Sequence, residues 1–206
     1  MKLIAATGLI DKAHYIASPN CDEREHHNSP EVVIIHCISL PPGEYGQGAI
    51  QRFFVNNLSA NEHPYYHSMA HLTVSAHFLI ERSGALIQFV PTHLRAWHAG
   101  ESVCLGRSKV NDFSIGIELE GLDTDNKGYT NAQYRCFNQL KSALELAYPS
   151  ISSLNYFAHS DIAPGRKPDP GPFFDWNRLN YNNWHIVYYW ESLFMIVCYY
   201  KSAHND

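Results

Sequence analysis

The chain has 206 residues, enough for one domain with a sizeable core, and 45% of them are hydrophobic, as in ordinary soluble globular proteins. Only 17% of the residues are charged and the formal net charge is -5, which argues against a nucleic-acid-binding protein. The five cysteines are scattered and form no CxxC pair, so we expect a reducing compartment.

The first ten residues superficially resemble a signal peptide. Their apolar run is short, however, and Asp11 and Lys12 end it before any suitable cleavage site. We therefore interpret residues 8–17 as a first strand and expect a cytoplasmic protein.

The next third of the chain indicates short strands joined by loops. A β-branched run at residues 32–37 is typical of a buried central strand, and it carries His36 near its end. Residues 49–57 predict a short helix. Two apolar segments, 72–81 and 85–90, flank an Arg-Ser-Gly turn and predict a hairpin.

The second half predicts the regular elements most clearly. Residues 114–120 alternate strictly, with isoleucine and leucine on one face and Gly116, Glu118 and Glu120 on the other. Residues 130–148 predict a helix with a capping box and an apolar stripe. With a further strand in residues 151–159, the pattern predicts a single α/β (α+β) domain with a central mixed sheet flanked by helices.

Histidines and prolines indicate a metal site. A lone histidine at a strand end, such as His36, is more often a core residue than a ligand, but residues 158–172 form a proline-stiffened loop that contains His159, Asp161 and Asp169. Two histidines and one carboxylate match the three protein ligands that catalytic zinc commonly uses. Spacing alone leaves the choice between the two aspartates open.

Several long segments match one enzyme family in order. They carry the resemblance of residues 8–176 to the AmpD-type anhydro-N-acetylmuramoyl-L-alanine amidases, which are related to peptidoglycan recognition proteins. The segments are residues 33–36, 38–44, 74–77, 95–100, 111–121 and 159–176.

The resemblance implies an amidase fold of that type and one zinc ion per chain, held by His36, His159 and Asp169. It also implies that Glu118 and Lys167 are catalytic. The expected reaction is hydrolysis of the amide bond between (1,6-anhydro-)N-acetylmuramic acid and L-alanine in peptidoglycan fragments, which serves cell-wall recycling.

Local chemistry agrees with these roles. Pro168 biases Lys167 towards an extended conformation, so Lys167 and Asp169 can point at one site, where the lysine can stabilise an oxyanion. Glu118 can take a proton from the attacking water and return it to the leaving amine. Glu120 shares the face of Glu118 and is the alternative base.

The resemblance also implies residues that bind the muropeptide substrate. Trp97 can stack on a sugar ring or belong to the core, while His77 and His98 can line the cleft or only pack and hydrogen-bond near it. The predicted substrate-binding residues are Tyr65, Trp97, His98, Lys109 and Asn111.

Two positions depart from the family pattern. Where the family carries arginines thought to dock the carboxylates of the stem peptide, this chain has Thr73 and Lys109. Lys109 keeps the charge without the bidentate fork, and Thr73 keeps neither. The third residue of the preferred stem peptide therefore stays open.

The resemblance stops at residue 176, so we predict an amidase domain at residues 1–176 and an apolar, aromatic-rich extension at residues 177–206. From residue 184 the extension predicts a helix or a strand, too short and too interrupted for a membrane span of about 20 residues. It can pack on the amidase domain, form a subunit interface or attach peripherally to a membrane.

Two other functions compete with the recycling amidase. Relatives among the recognition proteins bind peptidoglycan without cutting it, but such a binder is expected to lack a metal ligand, and here all five metal and catalytic positions are filled. A wall-lytic amidase acting on intact peptidoglycan is expected to carry an export signal or wall-binding repeats.

Overall fold

The computed structural model describes residues 1–25, 28–179, 185–188 and 197–200, the last two ranges by their backbone alone. The chain divides into two compact units, Met1–Phe174 and Asp175–Asp206. The boundary predicted from the sequence, after residue 176, lies two residues beyond this division.

The described residues form short strands, three α-helices and several 3-10 helices. The strands are β1 (Leu3–Ile4), β2 (Leu9–Ile10), β3 (His14–Tyr15), β4 (Cys21–Glu23), β5 (Val32–Ile38), β6 (Phe78–Ile80), β7 (Leu86–Gln88), β8 (Leu94–Ala96), β9 (Val103–Cys104), β10 (Arg107–Ser108), β11 (Ser114–Glu120), β12 (Tyr156–Ala158), β13 (His185–Tyr188) and β14 (Val197–Tyr200). The α-helices are α1 (Ala49–Phe54), α2 (Asn131–Ala147) and α3 (His159–Ile162), and the 3-10 helices are Ala60–Glu62, Pro64–Ser68, Val110–Phe113 and Trp176–Arg178.

A six-stranded mixed sheet organises the first unit, in the order β12-β5-β11-β6-β7-β3. The four strands β12, β5, β11 and β6 run parallel to one another. Strand β7 is antiparallel to β6 and parallel to β3. The predicted fold class, a mixed central sheet with helices around it, is confirmed.

The strands β5 and β11 are buried along most of their length. Residues 32–35 of β5 are fully buried, as expected for a parallel strand between two neighbours. All seven residues of β11 are buried as well, including Glu118 and Glu120. The polar face predicted for β11 is therefore an interior face, and its carboxylates need partners or a function.

Helix α2 forms as its sequence predicts. Thr130 accepts a hydrogen bond from the N–H of Gln133, and the Gln133 side chain accepts one from the N–H of Thr130, which completes the capping box. The apolar stripe of Phe137, Leu140 and Leu144 is fully buried. This packing fixes one layer of the domain against the sheet.

The N-terminal prediction is wrong in detail. Residues 8–17 do not form one strand, because a turn in which the N–H of Ala13 donates to the carbonyl of Ile10 at 3.1 Å separates Leu9–Ile10 from His14–Tyr15. The N–H of Ile10 donates to the side chain of Gln88 of β7 at 2.8 Å. The predicted hairpin forms with shorter strands, β6 and β7.

The second unit contains the 3-10 helix Trp176–Arg178 and the antiparallel pair β13–β14, in which His185 lies opposite Tyr200. The sequence left helix and strand open for this segment, and its described backbone is a strand pair. Residues 180–184, 189–196 and 201–206 lie outside the described residues. The choice between packing on the amidase domain, a subunit interface and peripheral membrane attachment therefore stays a prediction. Among the described residues, no helix has the length and apolar character that crossing a membrane requires.

Candidate metal centre and active site

The ends of two parallel strands bring the two candidate histidine ligands together. Ala158, the last residue of β12, pairs with Ile35 of β5, so the next residues, His159 and His36, come level at the same edge of the sheet. Both are buried. Carboxyl ends of parallel strands are where α/β sheets usually bind their ligands.

The third member of the cluster comes from the proline-rich loop. Asp169 Oδ2 lies 3.1 Å from His36 Nδ1 and 3.1 Å from His159 Nδ1, and the two Nδ1 atoms are 2.9 Å apart. Among the described residues, these three form the group of histidine, cysteine and acidic side chains that converges closely enough to hold a metal ion.

The loop geometry separates the two aspartates that the spacing left open. Asp161 turns back to accept a hydrogen bond from the N–H of Ala158 at 2.8 Å, and so caps α3. Asp169 is held in place by its carbonyl, which accepts from the N–H of Ser160 at 3.0 Å. The structure thus places Asp169, and not Asp161, beside both histidines.

The donor set fits a cation such as zinc. His159 Nε2 lies 3.1 Å from the carbonyl oxygen of Ala99, which can only accept, so a neutral His159 carries its proton there and turns the Nδ1 lone pair towards Asp169. Ligands of a tetrahedral zinc ion at about 2.0–2.1 Å lie about 3.3 Å apart. The separations in the cluster are close to that value, with acceptors facing one another as a cation requires.

Burial and hydrogen bonding set the charges of the cluster. Burial lowers the pKa of His36 to about 4, although its hydrogen bond to Asp169 acts in the opposite direction. Burial would raise the pKa of Asp169, but the neighbouring imidazoles of His159 and His36 outweigh it and hold that pKa well below its usual range. At neutral pH His36 is therefore neutral and Asp169 ionised, the forms that bind a metal.

Glu118 lies next to the cluster because β11 pairs with β5 and sets Glu118 opposite His36. Its Oε2 atom is buried without a hydrogen-bond partner among the described residues. Burial and the negative charge of Asp169 raise its pKa well above the usual range, and the charge of the exposed residue Lys167 partly opposes them. Such a carboxyl is poised for proton transfer.

The alternative base, Glu120, is already engaged. Its Oε1 accepts from the N–H of Gly46 at 2.6 Å and its Oε2 from the N–H of Arg82 at 2.9 Å. These bonds tie a loop and a turn to the end of β11. Glu120 therefore has a structural use that Glu118 lacks.

Three of the predicted substrate-binding residues have no described contact with His36, His159 or Asp169. Trp97 donates its Nε1–H to Asp22 at 3.1 Å and is partly buried. Lys109 donates to both carboxylate oxygens of Glu25 at 2.8 and 2.9 Å, with 66% of its side chain exposed. Tyr65 is 41% exposed on the 3-10 helix Pro64–Ser68.

The other two, His98 and Asn111, contact the residues behind the cluster. His98 Nδ1 lies 2.9 Å from His36 Nε2, on the side away from Asp169. Asn111 Oδ1 accepts from the backbone N–H groups of His98 and Ala99. The structure therefore gives both residues contacts within the protein that their sequence motif does not indicate.

His77 is an interior residue with both ring nitrogens bonded. The N–H of Gly116 donates to His77 Nδ1 at 3.0 Å, and His77 Nε2 lies 3.1 Å from the carbonyl oxygen of Leu94. It is fully buried, so of the two roles left open by the sequence it has the packing role.

The supporting contacts include backbone groups that sequence reasoning missed. Ala99 offers a carbonyl, which carries no side-chain signal, and the same carbonyl also accepts from Arg166 Nη2 at 2.8 Å. Gly116 was detectable in principle, since a glycine within a buried strand often marks a close approach. A Cβ there would lie 2.5 Å from the ring of His98.

Comparisons with known proteins identify the family of this chain. The family described as N-acetylmuramoyl-L-alanine amidase matches residues 26–172. The chain belongs to the N-acetylmuramoyl-L-alanine amidase family. The predicted resemblance is thereby confirmed, and this amidase is an enzyme of that type.

Two AmpD relatives match this amidase over nearly their full length. The 1,6-anhydro-N-acetylmuramyl-L-alanine amidase AmpD of Citrobacter freundii is 48% identical over 172 residues, 84% of this chain and 90% of that protein. AmpD of Escherichia coli (strain K12) is 47% identical over 177 residues, 86% of this chain and 95% of that protein.

Solved structures resemble this amidase over the same range. A crystal structure of a selenomethionine AmpD derivative has a TM-score of 0.83 at 47% identity, covering 87% of this chain and 97% of that one. The amidase AmiD of E. coli, in complex with the substrate anhydro-N-acetylmuramic acid-L-Ala-D-γ-Glu-L-Lys, has a TM-score of 0.55 at 27% identity, covering 77% of this chain and 59% of that one.

Proposed function

We propose that this amidase is a zinc-dependent hydrolase of soluble cell-wall fragments. Its substrates are anhydro-muramyl peptides, and it cuts the amide bond between 1,6-anhydro-N-acetylmuramic acid and L-alanine. It acts in the cytoplasm and serves peptidoglycan recycling. His36, His159 and Asp169 hold one zinc ion, and Glu118 and Lys167 are the catalytic residues.

The observation that carries this proposal is the convergence of three metal-ligand atoms, 2.9–3.1 Å apart, beside a carboxyl group with an unpartnered oxygen. A ligand cluster alone is compatible with a structural metal. The neighbouring Glu118, desolvated and free to bond a substrate or water, supplies the acid–base group that hydrolysis of an amide needs.

Glu118 moves the proton in this scheme. It accepts a proton from the attacking water as the water oxygen bonds to the amide carbon, and it then delivers that proton to the nitrogen of L-alanine as the C–N bond breaks. A raised pKa suits this double role, because the carboxyl can both accept the proton and hold it until the amine leaves.

Lys167 stabilises the negative charge that develops on the carbonyl oxygen in the tetrahedral state. Its charge acts on both His36 and Glu118, lowering the pKa of each, which is consistent with a position beside the reacting atoms. When bound, zinc supplies a Lewis acid that polarises the amide carbonyl and acidifies the attacking water.

The proposed substrate and compartment rest on the relatives and on the thiols. The AmpD relatives are named for action on the 1,6-anhydro sugar, and they match over nearly their full length. The cysteines whose side chains the structure describes are all unpaired, as expected for a reducing cytoplasm. A wall-lytic amidase would instead act on intact peptidoglycan.

The test is a comparison of two substrates with one preparation. Purified protein is assayed on soluble anhydro-muropeptides and on intact wall sacculi, and its zinc content is measured. We expect release of the peptide from the soluble fragments, about one zinc per chain, and little turnover of sacculi. Glu118→Gln is the matched control, because it keeps the shape of the side chain and removes the base.

Two results would reject the proposal. Comparable turnover of sacculi and fragments would favour the wall-lytic alternative, and binding of fragments without cleavage would favour a non-catalytic recognition module.

Lys167→Ala should retain zinc while its turnover falls by roughly 10²-fold, the scale of losing an oxyanion donor.

A further inference from the structure

The dipeptide of His98 and Ala99 lies directly behind both candidate metal-binding histidines. His36 Nε2, the ring nitrogen that faces away from Asp169, is 2.9 Å from His98 Nδ1. The corresponding Nε2 of His159 is 3.1 Å from the carbonyl oxygen of Ala99. One short stretch of chain therefore contacts the outer nitrogen of each histidine.

The proton positions follow from the acceptors. The Ala99 carbonyl can only accept, so His159 Nε2 carries a proton and Nδ1 offers a lone pair. For His36 to offer Nδ1 in the same way, its Nε2–H must donate to His98 Nδ1. His98 then carries its own proton on Nε2, which lies 3.2 Å from Ser114 Oγ, an atom that can accept it.

Asn111 holds this dipeptide in place with a single oxygen. Asn111 Oδ1 accepts from the N–H of His98 at 3.1 Å and from the N–H of Ala99 at 2.8 Å. The backbone of Asn111 is itself anchored, because its carbonyl accepts from buried Arg24 at 3.0 Å. A shift of this one amide would move the partners of both histidines together.

Gly116 completes the seat of the His98 ring. The ring of His98 packs so closely over β11 that a Cβ at Gly116 would lie 2.5 Å from its Cγ. The ring is also edge-on to that of His36, with centroids 5.0 Å apart. The position of His98 is therefore fixed by packing as well as by hydrogen bonds.

We propose that His98 and Asn111 are positioning residues of the metal centre and not substrate ligands. His98 fixes the tautomer and ring orientation of His36. Asn111 fixes the backbone of His98 and Ala99, whose ring and carbonyl contact His36 and His159 respectively. This inference rests on the proposed metal centre. Outer partners of metal-binding histidines typically account for about 10–100-fold in metal affinity.

The test uses a matched pair of variants at His98. In His98→Asn the amide oxygen hangs from Cγ as Nδ1 does in histidine, so an acceptor for His36 is retained. His98→Leu has similar bulk and no acceptor. Zinc dissociation constants of the full-length, zinc-loaded proteins are measured by competition with a chromogenic chelator.

We expect His98→Leu to bind zinc about 10–100-fold more weakly than the wild type, and His98→Asn to recover most of that loss. Asn111→Asp, which keeps an acceptor oxygen, should likewise exceed Asn111→Leu in zinc affinity. In the zinc-saturated variants kcat should fall while KM for anhydro-muropeptide stays near the wild-type value. The absorption spectrum of the cobalt-substituted protein should change in His98→Leu.

Distinct results would overturn the inference. A raised KM with unchanged zinc affinity would make His98 and Asn111 substrate ligands, as the sequence predicted. Equal loss of zinc affinity in the leucine and asparagine variants of His98 would indicate a packing role alone. A wild-type protein that binds no zinc would instead reject the metal centre itself, and this inference with it.

Discussion

The candidate metal cluster of His36, His159 and Asp169 and an outer set of Tyr65, Trp97 and Lys109 were predicted from the same resemblance, but they differ in how they are built. The two histidines are buried near the carboxyl ends of β5 and β12, Asp169 is partly buried on the loop, and each histidine has a partner behind it. The outer set lies on a 3-10 helix and on loops and is at least partly exposed, and Trp97 and Lys109 bond to the surface carboxylates of Asp22 and Glu25.

The difference follows from what each region has to do. Metal ligands must converge within a few ångströms, so their positions are over-determined by strand register and by supporting hydrogen bonds. A residue that meets a flexible peptide can sit on a loop and pair with a neighbour until the ligand arrives. The following predictions test whether substitutions in the cluster affect zinc binding and turnover more than substitutions in the outer set do.

The largest effect is expected from removing a ligand. His159→Ala should lose zinc and lower turnover by at least roughly 10³-fold, because a bound metal contributes several kcal/mol to transition-state stabilisation. Asp161→Ala is the control, since Asp161 only caps α3 and should keep its zinc. Metal analysis and turnover measure both. Zinc lost from Asp161→Ala but kept in Asp169→Ala would reassign the ligand.

The next effect concerns the two neighbouring carboxylates of β11. Glu118→Gln should keep its zinc and lose roughly 10²–10⁴-fold in turnover, the usual contribution of a general base. Glu120→Gln should change turnover by only a few-fold and lower the melting temperature, because it weakens a bond to Gly46 or Arg82. An active Glu118→Gln beside an inactive Glu120→Gln would move the base to Glu120.

A third prediction uses the burial of the cluster. His36 has a pKa of about 4 in the folded protein and about 6.5 when unfolded, so between these values only the unfolded state takes up the proton. This contribution to stability is fully present above pH 6.5 and is lost as the pH falls towards 4. It amounts to about 3 kcal/mol of unfolding free energy.

Urea unfolding of the metal-free protein at pH 7 and pH 4.5 measures the effect. His36→Asn should show a smaller decrease between the two pH values than the wild type, and the difference isolates His36 from the other buried histidines. Parallel decreases in the two proteins would mean that the folded cluster does not exclude the proton.

The smallest effect is expected in the outer set. Lys109→Ala should lower the unfolding free energy by no more than about 1 kcal/mol, because its pair with Glu25 is exposed to solvent. KM should rise only a few-fold for fragments whose third peptide residue carries a carboxylate. Glu25→Ala, which releases the lysine, is the matched control. A rise in KM above tenfold in Lys109→Ala would show that a residue of the outer set contributes strongly to substrate binding, against the small effect expected here.

The sequence by itself determined the elements whose residues repeat a local pattern. The β-branched run of β5, the alternation of β11 and the capping box of α2 each depend on neighbours within a few positions, so the chain states them directly. The same locality made the proline-rich loop recognisable as a ligand-bearing segment. The ordered family motifs then indicated the amidase.

Tertiary structure decided what depends on residues distant in the chain. Spacing left Asp161 and Asp169 open and the resemblance named Asp169, and the fold brings it to within 3.1 Å of His36, more than a hundred residues away in the chain. Only the fold gives Glu120 two backbone donors and leaves Glu118 with an unpartnered oxygen. Hydrogen-bond partners depend on strand register and loop closure, which cannot be read from the identity of a side chain. The sequence therefore indicates which chemical groups are available, and tertiary packing decides which of them bond to one another.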